Sequence, residues 1–170
     1  MDYLEQRRKL RQMVQERLDY GRDYTDEEVE DTIDEVLMEH LELCSVELRR
    51  RLRKELFDSL RRLDILQIFV DDSSVTEIMI NGLDHIFVER DGQLQELDRA
   101  FDSMEKLQDV IQQIVAGCNR VVNEASPIVD ARLSNGARVN IVMSPIALNG
   151  PIITIRRFPD KPITMQKLIA

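Results

Sequence analysis

The hydrophobic period of the chain changes close to Asp64. Before that point apolar residues recur every three or four positions. After it they mostly alternate. A period near 3.6 marks a helix with one buried stripe, and a period of 2 marks a strand with one buried face. The order of the two predicts a helical unit followed by an α+β unit.

The first part supports this in detail. Residues 1–63 contain no Pro and a single Gly, Gly21. The spacing predicts a helix from about Asp2 to Tyr20, with Leu10, Val14 and Leu18 on one face. Gly21 comes next, a residue that tolerates a left-handed helix end. Thr25-Asp26-Glu27-Glu28 reads as a capping box, in which the Thr oxygen and the Glu carboxylate each satisfy an orphan amide. The helix it opens carries Val29, Ile33, Val36, Leu37, His40, Leu41 and Cys44 along one stripe. Ser45 is placed to cap a third helix that buries Leu48, Leu52, Leu56, Leu60 and Leu63. A three-helix bundle over 1–63 is expected.

Residues 64–158 predict a short helical turn over Ile65–Val70, then strands over Thr76–Asn81, His85–Glu89 and Gln93–Leu97. Asn81-Gly82 and Asp91-Gly92 are the turns between them. Residues 102–119 return to helical period, with Leu107, Val110, Ile111, Ile114, Val115 and Cys118 on one stripe. Three further strands come at Val129–Ser134, Arg138–Met143 and Ile152–Phe158. The fold class is α+β: a helical bundle, then a mostly antiparallel six-stranded sheet with helices on one face. Residues 159–170 read as the start of a linker or helix, because Thr164 can cap a segment that stops at Ala170. Residue 170 is therefore expected to be the boundary of a fragment.

Charge narrows the function. With 32 acidic against 23 basic residues the net charge is −9, which disfavours general nucleic-acid binding. No apolar run approaches the ~18 residues of a membrane span. The charged start, MDYLEQRRKL, is not a secretory signal. Two Cys make no disulfide framework, and a reducing cytosol is the simplest setting. No metal site is expected, because His40 and His85 lie in different halves without zinc-ligand spacing. His40, Cys44 and Cys118 read instead as core residues. No Gly-x-x-x-x-Gly-Lys-Ser/Thr occurs, so this chain alone should lack the cradle that holds phosphate and magnesium.

Two basic features remain. The run Arg49-Arg50-Arg51-Leu52-Arg53-Lys54 forms the face opposite the leucine stripe. It is either a solvated face, partly neutralised by the acidic second helix, or a dock for an acidic partner or an anionic membrane, with Arg49, Arg50, Arg53 and Lys54 as its residues. The second feature lies in the last three strands. Alternation turns Asp130, Arg132, Arg138, Asn140, Thr154 and Arg156 to one face, and Arg157 to the other. Three converging Arg suit a multiply charged oxyanion such as phosphate, although an ordinary wet sheet face has the same pattern.

The segments Val129–Asn140 (VDARLSNGARVN), Ala147–Pro151 (ALNGP) and Thr154–Phe158 (TIRRF), preceded by Val75–Gly82 (VTEIMING), closely resemble the N-terminal domain of CpaF/TadA-type secretion ATPases, in the type II/IV secretion ATPase superfamily. Ser134 stands where that family usually has Pro. The resemblance covers roughly residues 45–170 and implies a cytoplasmic homo-hexamer at the inner face of the bacterial membrane. Such a hexamer powers secretion or Tad/Flp pilus assembly and docks on an inner-membrane platform protein, so its membrane association is peripheral. It implies ATP and Mg held mainly by a RecA-like domain that this chain lacks. It also implies nucleotide phosphates contacted by Arg138 and Arg156, with Arg157 and Arg132 as weaker candidates. The fragment alone would hydrolyse nothing. The alternative is a free-standing adaptor without an ATPase domain.

Overall fold

The computed structural model describes residues 3–18, 21–40 and 45–158. The expected ends of the first helix at Asp2 and Tyr20, Leu41 and Cys44 of the second stripe, and the segment 159–170 lie outside them. The chain divides into two compact units, Met1–Gln67 and Ile68–Ala170. The division falls four residues later than the change of period suggests. The reason is a 3-10 turn at Asp64–Leu66, whose three residues are buried and whose Asp64 carboxylate lies 3.7 Å from the Arg7 guanidinium.

The first unit consists of α1 (Tyr3–Arg17), α2 (Asp26–His40) and α3 (Val46–Arg61). Leu10 and Val14, then Val29, Ile33, Val36 and Leu37, then Leu52 and Leu56 form one buried cluster. Each fully buried aliphatic side chain stabilises by roughly 1.5–3 kcal/mol, so these stripes hold the bundle. The capping box forms: the Thr25 amide donates to Glu28 Oε2 at 2.8 Å, and the Glu28 amide to Thr25 Oγ1 at 3.2 Å. Ser45 caps α3, accepting from the Leu48 amide at 3.2 Å. Against the apolar core sits a charged knot. The Tyr3 hydroxyl donates to Glu55 at 2.9 Å, Arg51 donates to the other Glu55 oxygen at 2.9 Å, and the Arg51 guanidinium covers the Tyr3 ring. Burial, then the hydrogen bond to Glu55, push the Tyr3 phenol up to about 12.

The second unit contains α4 (Gln67–Val70, shared with the end of the first), β1 (Val75–Asn81), β2 (His85–Arg90), β3 (Gln93–Glu96), α5 (Met104–Gly117), β4 (Ile128–Arg132), β5 (Arg138–Val142) and β6 (Ile152–Arg156). The strands make one six-stranded sheet in the order β3-β2-β1-β6-β5-β4, with every neighbour antiparallel. Two local meanders are therefore joined edge to edge by β1 and β6. One face is apolar and buried: Ile78, Ile80, Ile86, Val88, Val139, Ile141, Ile153 and Ile155. The buried stripe of α5, Leu107, Val110, Ile111, Ile114 and Val115, matches it. Ser103 caps α5, and the segment before it is pinned where the Phe101 amide donates to the Leu83 carbonyl at 3.3 Å. On the other sheet face Asp130, Arg132, Arg138, Asn140 and Arg156 are exposed, and among the described residues that side stays open at β4, β5 and β6.

Two glycines from the turn signals meet different surroundings. The Gly82 amide donates to the Pro151 carbonyl at 3.0 Å, and a Cβ on Gly82 would stand 3.0 Å from the Asn149 carbonyl oxygen. Gly82 also has φ +71°, which L side chains rarely adopt. Gly92 has a similar φ of +75° but open space around it. Gly82→Ala is expected to cost about 1–2 kcal/mol more than Gly92→Ala, because it adds a backbone clash to the same conformational strain. Urea midpoints of the two variants measure the difference. The helical unit should lose stability in alkali. The folded Tyr3 pKa lies above the unfolded value of 10.0, so the contribution is complete below pH 10 and disappears as pH rises towards 12. Thermal unfolding of Tyr3→Phe should lack that component.

Candidate functional site

The open sheet face is organised in rows, because antiparallel registry sets same-face residues side by side about 4.8 Å apart. One row crosses five strands: Arg132 pairs with Arg138, Arg138 with Arg156, Arg156 with Glu77, and Glu77 with Glu89. The next is Asp130, Asn140, Thr154, Met79 and Phe87. The structure thus brings Arg132, Arg138 and Arg156 together as a continuous line at one end of β4, β5 and β6.

Like charges directly opposite each other destabilise a sheet. The row is relieved by two carboxylates. Arg138 donates to Asp130 at 2.9 Å, diagonally across the β4–β5 pair. Arg156 donates to both oxygens of Glu77, at 3.0 and 3.2 Å. The Glu77 side chain is only 15% exposed, so this pair is anchored on its acidic side and open on its basic side, where Arg156 is 69% exposed. Arg132 is exposed and pairs with no acid among the described residues. It borders two open clefts, one of about 570 Å³ with Cys118, Arg120, Asp130 and Arg138, and one of about 580 Å³ with Asp71, Ser73, Asn135, Gly136, Arg157 and Phe158. A row of fixed guanidiniums with forked donors can bind a tetrahedral dianion through several charge-assisted hydrogen bonds.

Arg157 lies apart from that row. It is half-buried, and its guanidinium donates to the Asp72 carbonyl at 2.8 Å and to the Val70 carbonyl. It fastens β6 to the segment that leads into β1. Asp72 is held below the usual carboxylate range, chiefly by hydrogen bonds from Ser74 and then by Arg90.

The basic run on α3 separates into two groups. Arg53 donates to Asp34 at 2.7 Å and to Glu30 at 3.0 Å, and Arg61 donates to Asp26 at 2.7 Å. The acidic α2 therefore neutralises that side. Arg49 is half-buried, whereas Arg50 and Lys54 point into solvent without an ion pair among the described residues. His40 is exposed rather than in the core, since it is the last residue of α2; its Nδ1 lies 3.0 Å from the Val36 carbonyl. His85 faces out beside Glu96 at 3.0 Å. Cys118 is half-buried, and its thiol donates to the Arg132 carbonyl at 2.7 Å. Among the described residues no three His, Cys, Asp or Glu converge as a metal site, and no helix is long and apolar enough to cross a membrane.

Comparison with known proteins adds the fold. No family model matches the chain. It is 34% identical over 110 residues to the uncharacterized protein MJ0781 of Methanocaldococcus jannaschii, a match covering 64% of this chain and 15% of that protein. It is 39% identical over 66 residues to the uncharacterized protein MJ0900 of the same organism, covering 38% of this chain and 12% of the other. The chain thus spans less than a sixth of either relative. Among solved structures it is similar to the VirB11 ATPase of the Brucella suis type IV secretion system, determined in complex with sulphate. The TM-score is 0.54 at 22% identity, covering 61% of this chain and 32% of that one. The fold resembles part of a secretion ATPase.

Sequence alternation selected the three arginines and turned Arg157 away from them. It did not reveal Glu77 as the partner of Arg156, 79 positions away, because that contact depends on β1 pairing with β6. The two neighbours Arg156 and Arg157 should respond differently to truncation. Arg157→Ala is expected to destabilise the sheet unit by about 1.5–3 kcal/mol, through loss of charged hydrogen bonds to backbone carbonyls. Arg156→Ala should cost less, about 1 kcal/mol, because the guanidinium itself stands largely in solvent. Chemical denaturation of both variants distinguishes these outcomes.

Proposed function

We propose that the chain is the N-terminal, non-hydrolytic part of a hexameric ATPase of the CpaF/TadA type, which powers type II/IV secretion or Tad/Flp pilus assembly. The observation that carries this reading is the Arg132–Arg138–Arg156 row on adjacent strands, in a sheet whose fold is similar to part of the VirB11 ATPase. ATP and Mg would be held mainly by a P-loop domain outside these 170 residues. The open face of the sheet would turn its arginines to the nucleotide phosphates. Arg156 and Arg138 would make the contact, and Arg132, which has no ion pair with an acid among the described residues, would extend it. Arg157 would act by positioning, holding β6 while its neighbour reaches the phosphate. The assembly would work at the cytoplasmic side of an inner membrane, on a platform protein.

Negative charge shifts onto the phosphate oxygens as the terminal bond breaks, and a fixed guanidinium stabilises it without reorganisation. Arg156 is held in place by Glu77, which suits that task. Contact made in both the ground and the transition state would instead lower KM and couple ATP binding to domain closure.

Arg156→Ala in the full-length protein should lower ATP turnover by about 10³-fold if the guanidinium acts in the transition state. A raised KM with kcat unchanged would assign it to ground-state binding. Wild-type kcat and KM in this variant would remove Arg156 from the site. The 170-residue chain alone should release no phosphate from ATP; turnover by the pure chain would contradict the reading.

A further inference from the structure

The helical unit is electrically polarised in a way its internal pairs do not exhaust. Helix α2 carries eight Asp or Glu and no Lys or Arg. Helix α3 carries six Lys or Arg against three acids. Part of this opposition is used inside the unit, where Arg53 meets Glu30 and Asp34, and Arg61 meets Asp26. Those pairs also fix the geometry. Towards the C-terminus of α3 the partners move towards the N-terminus of α2, so the two helices are antiparallel.

A second set of the same charges faces solvent. On α2 the exposed residues Glu27, Asp31, Glu35 and Met38 recur at three- or four-residue steps. On α3 Val46, Arg50 and Lys54 do the same. Asp31, Arg50 and Lys54 have no ion pair among the described residues, and Glu35 has only a 3.8 Å approach from Arg17. Met38 is 64% exposed and Val46 82%, the apolar members of otherwise charged stripes.

The register seen inside the unit also fits the two outer stripes. With α2 of one molecule laid antiparallel on α3 of another, Met38 falls beside Val46, Glu35 beside Arg50 and Asp31 beside Lys54. From Met38 to Asp31 α2 advances about 10 Å and from Val46 to Lys54 α3 advances about 12 Å, so the three contacts stay in step to within about 1.5 Å. Two apolar side chains meet at one end and opposite charges along the rest.

We propose that copies of this chain associate through these stripes, the acidic α2 surface of one docking antiparallel on the basic α3 surface of another. The acidic partner that the basic run suits is then a second copy of the same chain. The contact is separate from the sheet arginines, so its failure would leave the phosphate reading intact.

Sedimentation velocity on the 170-residue chain tests this. The weight-average mass should rise with concentration at about 0.05 M salt, with an apparent Kd on the order of 100 µM. It should return to the monomer value at about 0.5 M salt, where exposed charges are screened. Arg50→Glu with Lys54→Glu should be monomeric, and so should Asp31→Lys with Glu35→Lys. Mixing the two variants should restore association, because each then presents the charge the other needs. A wild-type chain that stays monomeric at low salt overturns the proposal, as does association unaffected by salt. So does a mixture that stays monomeric while both variants keep the wild-type helical circular dichroism.

Discussion

The pairing of β1 with β6 is the contact on which the second unit depends. Each meander forms from local turns, and each alone is a three-stranded ribbon with one apolar face. Ile78 and Ile80 beside Ile155 and Ile153 join those faces into one surface wide enough for α5 to cover. The same pairing places Glu77 against Arg156 on the opposite side. Gly82 and Gly150 mark its end, where the two backbones pass so closely that an added Cβ would stand 3.0–3.1 Å from the facing backbone. One long-range contact thus sets the core, the turn chemistry and the electrostatics of the open face.

The arginine row gains its character from this arrangement. Three guanidiniums side by side would repel one another, and the sheet accepts them because Glu77 follows Arg156 in the row and Asp130 lies diagonally from Arg138. Asp130 and Glu77 do not cancel it. They hold Arg138 and Arg156 extended in place while leaving much of each guanidinium open to solvent. A row so held is ordered before any anion arrives, which lowers the entropic cost of binding one.

Much of this was legible in the residues because it is local. Strand alternation decides which face a side chain takes, so Arg132, Arg138 and Arg156 could be grouped and Arg157 set apart. The Thr25–Glu28 capping box, the Ser45 cap and the Asn-Gly and Asp-Gly turns are short-range chemistry of the same kind. The hidden part depends on distance along the chain. Strand order is not encoded in any one strand, so neither Glu77 beside Arg156 nor the carbonyls that take up Arg157 could be read in advance. His40 shows a different limit: it keeps the spacing of a buried stripe, yet at the last position of its helix it stands exposed. The unit boundary moved for a related reason. The turn at Asp64–Leu66 is tied to α1 through the approach of Arg7 to Asp64, a contact 57 positions apart that local pattern does not show.

The strand order leaves β3 and β4 at the two margins of the sheet. An unpaired margin is a template on which another chain can add a strand, and such margins lead to aggregation unless they are made unsuitable. Here β3 is four residues long and wholly exposed, with two Gln and a Glu. Strand β4 carries Asp130 and Arg132 on its open face. Arg132 therefore has a duty besides any ligand: it keeps the margin of the sheet wet and charged. A change that made this strand more apolar would threaten solubility before it touched any chemistry.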